Sequence, residues 1–268
     1  MNDIRLAGKK IFMGEDAVGG LAKLKGERGF IVTSGSFARE SGQLKLVQNA
    51  LNAANITTSV FEDVESDPDF WSVKAGSEKM QAFQPDWIIA LGGGSAMDAA
   101  KAMWILYEHP ELLTIEKLVA PNAFTTLGEK AKLICIPTTS GTGSEVSKGA
   151  VISDKAKNLK LVVRSDLLIP DIAVLDAAFT VDMPLSLTAH SGFDALTHAI
   201  ESYISQRANP MSDVFAESTI LGIFDALPKV YRNPQDKEAR LRMQVYSTTA
   251  GLAFTNSGLG MVHSIAHA

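Results

Sequence analysis

Five short apolar runs punctuate the first two thirds of the chain. They are GFIVTS (29–34), ITTSVFED (56–63), DWIIALGGGS (86–95), KLICIPTTS (132–140) and DIAVLD (171–176). Each is continuous rather than alternating with polar residues, the pattern of strands covered on both faces. Amphipathic stretches lie between them. Residues 37–54 place Leu44, Val47 and Leu51 at helical spacing, and a second helix follows Ser95. Strand, helix and strand in turn predict a parallel sheet with helices on both faces.

The texture changes after Asp176. From Pro184 onward the apolar positions take helical spacing, in LSLTAHSGFDALTHAIESYIS, MSDVFAESTILGIFDALPKVY and ARLRMQVYSTTAGLAF. The pattern therefore predicts an α/β domain over 1–178 and an all-helical part over 179–268, short for an independent helical domain.

Composition narrows the function classes. With 268 residues and 46% hydrophobic content the chain can bury a large core. A net charge of −5 with no basic stripe argues against nucleic acid or an anionic membrane as partner. The single cysteine, Cys135, sits in the apolar run LICIP, so a buried, reduced thiol is expected and no disulfide framework. The N-terminal stretch lacks a signal-peptide apolar core, and no segment reaches membrane-spanning length. A soluble, cytoplasmic protein is expected.

Candidate chemistry begins at Gly92, Gly93 and Gly94, where a strand runs into a helix starting at Ser95. Glycines admit a ligand close to the backbone, and a helix N-terminus offers free N–H groups to a phosphate or pyrophosphate. Asp98, three residues after Ser95, is placed to cap that first turn. The spacing is not that of the G-x-G-x-x-G fingerprint, and a plain tight turn is the alternative. A second polar loop, IPTTSGTGSEVS (136–147), follows a later strand and is dense in hydroxyls. Ligands of open α/β sheets bind at strand C-termini, so this loop suits phosphate and ribose.

Two pairs of metal-type side chains stand at i, i+4: Asp194 with His198, and His263 with His267. Each pair shares a helix face. One pair alone is more simply a local hydrogen bond, but two in one helical region suggest a divalent-metal site. Imidazole nitrogens with a carboxylate suit Fe²⁺ or Zn²⁺ rather than Mg²⁺ or Ca²⁺. His109 and His190 have no partner at ligand spacing and are expected to be non-ligands.

GGGSAMDAAK, IPTTSGTGSEVS, NLKLVV, PDIAVLD, GFDALTHAIESYIS and GLGMVHSIAHA together resemble, in order and over nearly the whole chain, the motifs of the iron-containing (group III) alcohol dehydrogenase family. The resemblance implies a dehydroquinate synthase-like architecture, an N-terminal α/β dinucleotide-binding domain followed by an all-α C-terminal domain, incomplete here. It implies that Gly93, Gly94 and Ser95 hold a pyrophosphate, that Thr138, Thr139 and Thr142 line the cofactor, and that Lys160 reaches its ribose. Asp194, His198 and His263 would be metal ligands. His267 would lie by the nicotinamide and substrate as the catalytic residue, relaying a proton. The implied reaction is hydride transfer between an alcohol and NAD(P)⁺. A polyol dehydrogenase of the same architecture and a non-catalytic dinucleotide-binding fragment are the alternatives. Family members often form dimers or larger assemblies.

Two departures from the family pattern set further expectations. Many NAD-using relatives carry an aspartate after the first of these strands; here Ser34, Gly35 and Ser36 stand there. Nothing repels a 2′-phosphate at that point and the hydroxyls can bond one, so NADP(H) is favoured over NAD(H), unless Ser36 merely caps the next helix. The family's metal also takes a fourth ligand, a histidine beyond position 267. Residues 1–268 alone are therefore expected to bind metal weakly and to show little or no dehydrogenase activity.

Overall fold

The computed structural model describes residues 4, 6, 8–155 and 157–266. Among them run eight strands: β1 (Lys10–Met13), β2 (Arg28–Thr33), β3 (Thr57–Phe61), β4 (Trp87–Gly92), β5 (Lys132–Pro137), β6 (Gly149–Asp154), β7 (Leu159–Arg164) and β8 (Ile172–Leu175). Six of them form an all-parallel sheet in the order β1-β8-β5-β4-β2-β3. The remaining two, β6 and β7, pair as an antiparallel hairpin. The helices are α1 (Phe37–Glu40), α2 (Gln43–Ala53), α3 (Phe70–Phe83), α4 (Gly94–Glu108), α5 (Ile115–Leu118), α6 (Leu185–Tyr203), α7 (Pro210–Arg232), α8 (Lys237–Ser257) and α9 (Met261–Ala266).

Side-chain alternation explains why the central strands read as unbroken apolar runs. Phe30, Ile88 and Leu133 pair across β2, β4 and β5 and face α3 and α4, packing with Val73, Met80, Met97 and Met103. Their neighbours Ile31, Ile89 and Ile134 face the opposite side, against Leu44, Val47 and Leu51 of α2. With both faces covered, either parity must be apolar.

Three features differ from the sequence reading. The helix expected over 37–54 is two helices, broken where Gly42 takes a left-handed backbone at φ +81. The edge strand β1 was not expected, because KIFM is short and mostly exposed. The β6–β7 hairpin was also missed: its second strand is largely exposed and lacks a continuous apolar run.

The helices α6, α7 and α8 pack on one another through Ala195, Leu196, Ile223, Ala226, Val230, Ala239 and Met243. Asn209 starts α7 with a reciprocal capping box to Ser212, a feature worth about 1 kcal/mol. Among the described residues no helix is long and apolar enough to cross a membrane. On the outer surface Phe193, Ile204, Leu221 and Phe224 are exposed.

The sheet meets the helices through the loop after β5. Gly143, at φ +62, lies against Gly251 of α8 so closely that a Cβ would stand 2.7 Å from the Gly251 Cα. Beside it the Thr248 hydroxyl donates to Glu145 at 2.5 Å, and Gln244 Nε2 donates to the Pro137 carbonyl at 3.2 Å. The loop is thereby seated on α8 at backbone distance.

Candidate functional site

β4 ends at Gly92 and α4 begins at Gly94, with Gly93 at the N-cap and no side chain capping it. The first-turn N–H groups are therefore not consumed by a capping side chain. A Cβ on Gly94 would come 2.9 Å from the Thr142 methyl carbon, and one on Gly93 would come 3.4 Å from Thr139. The glycine turn and the hydroxyl loop thus face each other directly. The Ser140 hydroxyl in that loop is buried without a hydrogen-bond partner among the described residues. Thr142 accepts from the Ser144 amide at 3.3 Å. Ser95 donates to the Ser66 carbonyl across the turn.

Asp98 does not cap α4. Its carboxylate points into the protein, accepting from the Ser144 hydroxyl at 2.9 Å and from the Val151 amide at 3.0 Å. The capping expectation fails because the hairpin and the hydroxyl loop compete for the carboxylate, and both lie far away in sequence. The next turn of α4 brings in Lys101, fully buried. Its ammonium donates to the carbonyls of Ser144, Ser147 and Gly149 at 2.8, 2.9 and 3.0 Å. Burial pushes its pKa down, against the opposing pull of the Asp98, Cys135 and Glu145 charges. Neither Lys101 nor Glu145 was singled out in the sequence, although a lysine on an otherwise apolar helix face is a readable signal.

Ser34 and Gly35 border a cleft of about 580 Å³ that is also lined by Val64, Glu65, Ser66, Asp67 and Lys155. Ser36 is the N-cap of α1 but its side chain makes no capping bond. Lys160 bonds Asp67 at 3.0 Å, and Lys155 pairs with Glu65. Both lysines come from the β6–β7 region, so the hairpin stands at the cleft edge.

The second centre lies on α6. Asp194, His198 and His263 each offer one ligand atom, and the three atoms lie within 4.8 Å of one another. His198 Nε2 is 3.8 Å and His263 Nε2 3.5 Å from Asp194 Oδ1. The two rings stack at 4.3 Å, and Phe254 packs 4.7 Å from His198. Both imidazoles are buried, while Asp194 is half-buried.

Each ring is held by its far nitrogen. His198 Nδ1 lies 3.2 Å from the Gly141 carbonyl, which only accepts, so Nδ1 carries the proton. His263 Nδ1 lies 2.6 Å from Glu201 Oε2. Burial pushes the His198 pKa down to about 4, leaving a neutral imidazole at pH 7. For His263, burial pulls the pKa down, but hydrogen bonds and charges from Asp194 and Glu201 outweigh it and the net shift is upward. Two imidazole nitrogens and one carboxylate oxygen converging this way form a donor set for a transition metal rather than for Mg²⁺ or Ca²⁺. His267 lies outside the described residues. Glu201 was missed by sequence reasoning; its spacing from Asp194 and His198, i, i+4, i+7, was the available signal.

Comparisons with known proteins give the family. The model of the family described as iron-containing alcohol dehydrogenase matches residues 8–177, and its C-terminal counterpart matches residues 188–268. The NADPH-dependent butanol dehydrogenase of Clostridium saccharobutylicum is 42% identical over 97% of this chain. The bifunctional aldehyde-alcohol dehydrogenase of Escherichia coli is 43% identical over 90% of it. The chain spans 66% of the former protein and 28% of the latter. The alcohol dehydrogenase of Oenococcus oeni superposes with a TM-score of 0.93 at 30% identity, over 100% of this chain and 70% of its own.

Proposed function

This chain belongs to the iron-containing alcohol dehydrogenase family, and on that premise we propose that it forms the catalytic unit of a metal-dependent alcohol dehydrogenase or aldehyde reductase using NADP(H). One observation carries the proposal: adjacent residues of a single loop touch both centres. Gly141 bonds His198, and Thr142 stands over Gly94. A dinucleotide lying along the glycine turn would therefore approach a metal held by Asp194, His198 and His263. An ion bound there, Fe²⁺ or alternatively Zn²⁺, supplies Lewis-acid polarisation of an alcohol or aldehyde oxygen.

The chain's own residues do the rest. Gly93, Gly94 and Ser95 present the α4 amides to the pyrophosphate. Thr138, Thr139 and Thr142 border the path of the cofactor. His198, kept neutral by burial, and His263 each turn Nδ1 away from the ion, toward Gly141 and Glu201, and Nε2 toward it. We propose His267 as the group that passes a proton to solvent, a role the imidazole side chain suits in general. If His267→Ala leaves turnover and its pH profile unchanged, that role is wrong. We divide the chain at 178/179, sheet domain before and metal-bearing helices after.

The NADP(H) preference is supported by three points. No carboxylate side chain stands at Ser34–Ser36. Lys155 lines the same cleft, paired with Glu65, and Lys160 bonds the cleft residue Asp67, so a 2′-phosphate would compete for both cations. The butanol dehydrogenase relative is NADPH-dependent. A higher kcat/KM for NADH than for NADPH would overturn the preference.

Small primary aldehydes and alcohols are the substrates to assay, with iron restored anaerobically to the natural gene product. Turnover that disappears in Asp194→Ala and His263→Ala supports the proposal. Dinucleotide binding with no turnover in the iron-loaded protein rejects it in favour of a non-catalytic dinucleotide-binding protein.

A further inference from the structure

Glu201 occupies the same stripe of α6 as Asp194 and His198, one turn further on. Its carboxylate is almost completely buried, yet among the described residues it pairs with neither lysine nor arginine. Instead Oε2 accepts from His263 Nδ1 at 2.6 Å and from the Gly260 amide at 3.0 Å, while Oε1 accepts from the Val262 amide at 2.6 Å. The chain passes so close that a Cβ on Gly260 would stand 2.9 Å from Oε1. The end of α6 and the residues just after it hold the preceding segment: Ser202 bonds the Ser257 hydroxyl at 2.7 Å, and Ser205 bonds the Ser257 carbonyl at 2.6 Å.

We propose that Glu201 is the positioning residue of the metal centre: it holds His263 in its Nδ1–H tautomer and aims Nε2 at the point shared with Asp194 and His198. The inference rests on the metal-centre reading above. An ionised carboxylate only accepts, so a neutral His263 ring bonded to it carries its proton on Nδ1 and turns the Nε2 lone pair toward the Asp194 and His198 side. The same two oxygens fix where the ring sits, because they also hold the backbone amides of Gly260 and Val262 just before it. A carboxylate on the far nitrogen also raises the basicity of the ligating one, and such partners alter metal affinity about 10- to 100-fold. His198 has only a carbonyl in the equivalent place. The two histidines are therefore held unequally, with the charged partner on the residue that enters from α9.

Two measurements decide this. In the unmodified chain, the long-range ¹H–¹⁵N spectrum of the imidazoles is recorded at alkaline pH, where the rings are neutral. The His263 signals are identified by their loss in His263→Ala. The expected result is the Nδ1–H tautomer; the Nε2–H tautomer overturns the proposal, whether or not Glu201→Gln folds. Co²⁺ is then titrated into the unmodified chain, Glu201→Gln and His263→Ala, followed by visible absorption, with circular dichroism to verify the fold of each. Glu201→Gln is expected to weaken Co²⁺ binding by about tenfold or more. Binding within twofold of the unmodified chain in a folded Glu201→Gln overturns this proposal alone. Equal Co²⁺ uptake by the unmodified chain and His263→Ala overturns the metal-centre reading, and this inference with it.

Discussion

The carbonyl oxygen of Gly141 lies 3.2 Å from Nδ1 of His198, joining the loop after β5 to the helix that carries the metal-type side chains. The bond ties the ring of one centre to the backbone of the other. A metal that fixes the ring also fixes Gly141, and with it the Thr142 side chain over the glycine turn. Metal binding should therefore tighten NADPH binding. One hydrogen bond of about 0.5–1.5 kcal/mol corresponds to roughly two- to tenfold. Linkage requires NADPH to tighten metal binding by the same factor. Titrating NADPH with and without Co²⁺ checks both directions, and equal dissociation constants would break the coupling.

Gly94 is open to a direct test because its neighbour is a single methyl. Gly94→Ala would put a Cβ 2.9 Å from the Thr142 methyl carbon, and Thr142 has to move aside. Dinucleotide affinity should fall by about an order of magnitude, while thermal stability stays near that of the unmodified chain, since alanine favours the helix. Adding Thr142→Ser removes the clashing methyl and should restore most of the affinity. A double variant no better than Gly94→Ala would show that Thr142 is not the obstacle.

Lys155 provides a test of cofactor choice that leaves the glycine turn untouched. It stands at the cleft beside Ser34 and Gly35, paired with Glu65. If a 2′-phosphate takes that place, Lys155→Gln should lower kcat/KM for NADPH several-fold and leave NADH nearly unchanged. The modest size reflects a cation about half exposed, where ion pairs are weak. Equal losses with the two cofactors would remove Lys155 from the recognition of the phosphate.

How much of this was legible beforehand depends on whether a signal was local. The central strands announced themselves because both faces are buried, and Asp194 and His198 were visible as one helical turn. Asp98 was misread because its partners, Ser144 and Val151, are about fifty residues away in sequence and arrive only when the hairpin folds back. The hairpin itself was hidden: Leu159, Lys160 and Arg164 are exposed, so β7 carries no core pattern. Glu201 shows the middle case. Its spacing placed it beside the metal-type residues, but nothing in α6 alone foretells that residues 260–263 will turn back onto it. A helix face can be read from periodicity, whereas the identity of what meets that face cannot.

Lys101 is the interior cation that this distant packing requires. Replacing it with methionine would leave the carbonyls of Ser144, Ser147 and Gly149 without their donor in a buried place. Lys101→Met should cost about 3 kcal/mol in urea unfolding, the range for removing one partner of a buried, hydrogen-bonded charge. It should also weaken dinucleotide binding, because the freed segment continues from the hydroxyl loop. Unchanged stability would mean that water replaces the ammonium without loss.

Cys135 reports on the same interior from the sheet side. It lies on β5, fully buried, and burial pushes its thiol up to about 12, helped by the Glu145 and Asp98 charges and opposed by Lys101. Only the thiolate attacks a disulfide reagent, so at pH 8 the folded chain should react no faster than it unfolds. The pH dependence of stability has a definite sign. Below about pH 9 the thiol is protonated in both states and contributes no slope. Above that the unfolded chain releases a proton that the folded chain keeps, so stability falls as pH rises, until the folded thiol also ionises near pH 12. One pH unit into this window corresponds to about 1.4 kcal/mol. Cys135→Ala lacks this term, and other alkaline groups cancel when the two chains are compared. The unfolding free energy of the unmodified chain relative to Cys135→Ala should therefore drop by about 1.4 kcal/mol between pH 8 and pH 10. A constant difference, or rapid labelling of the native thiol, would show that β5 does not seal this position from solvent.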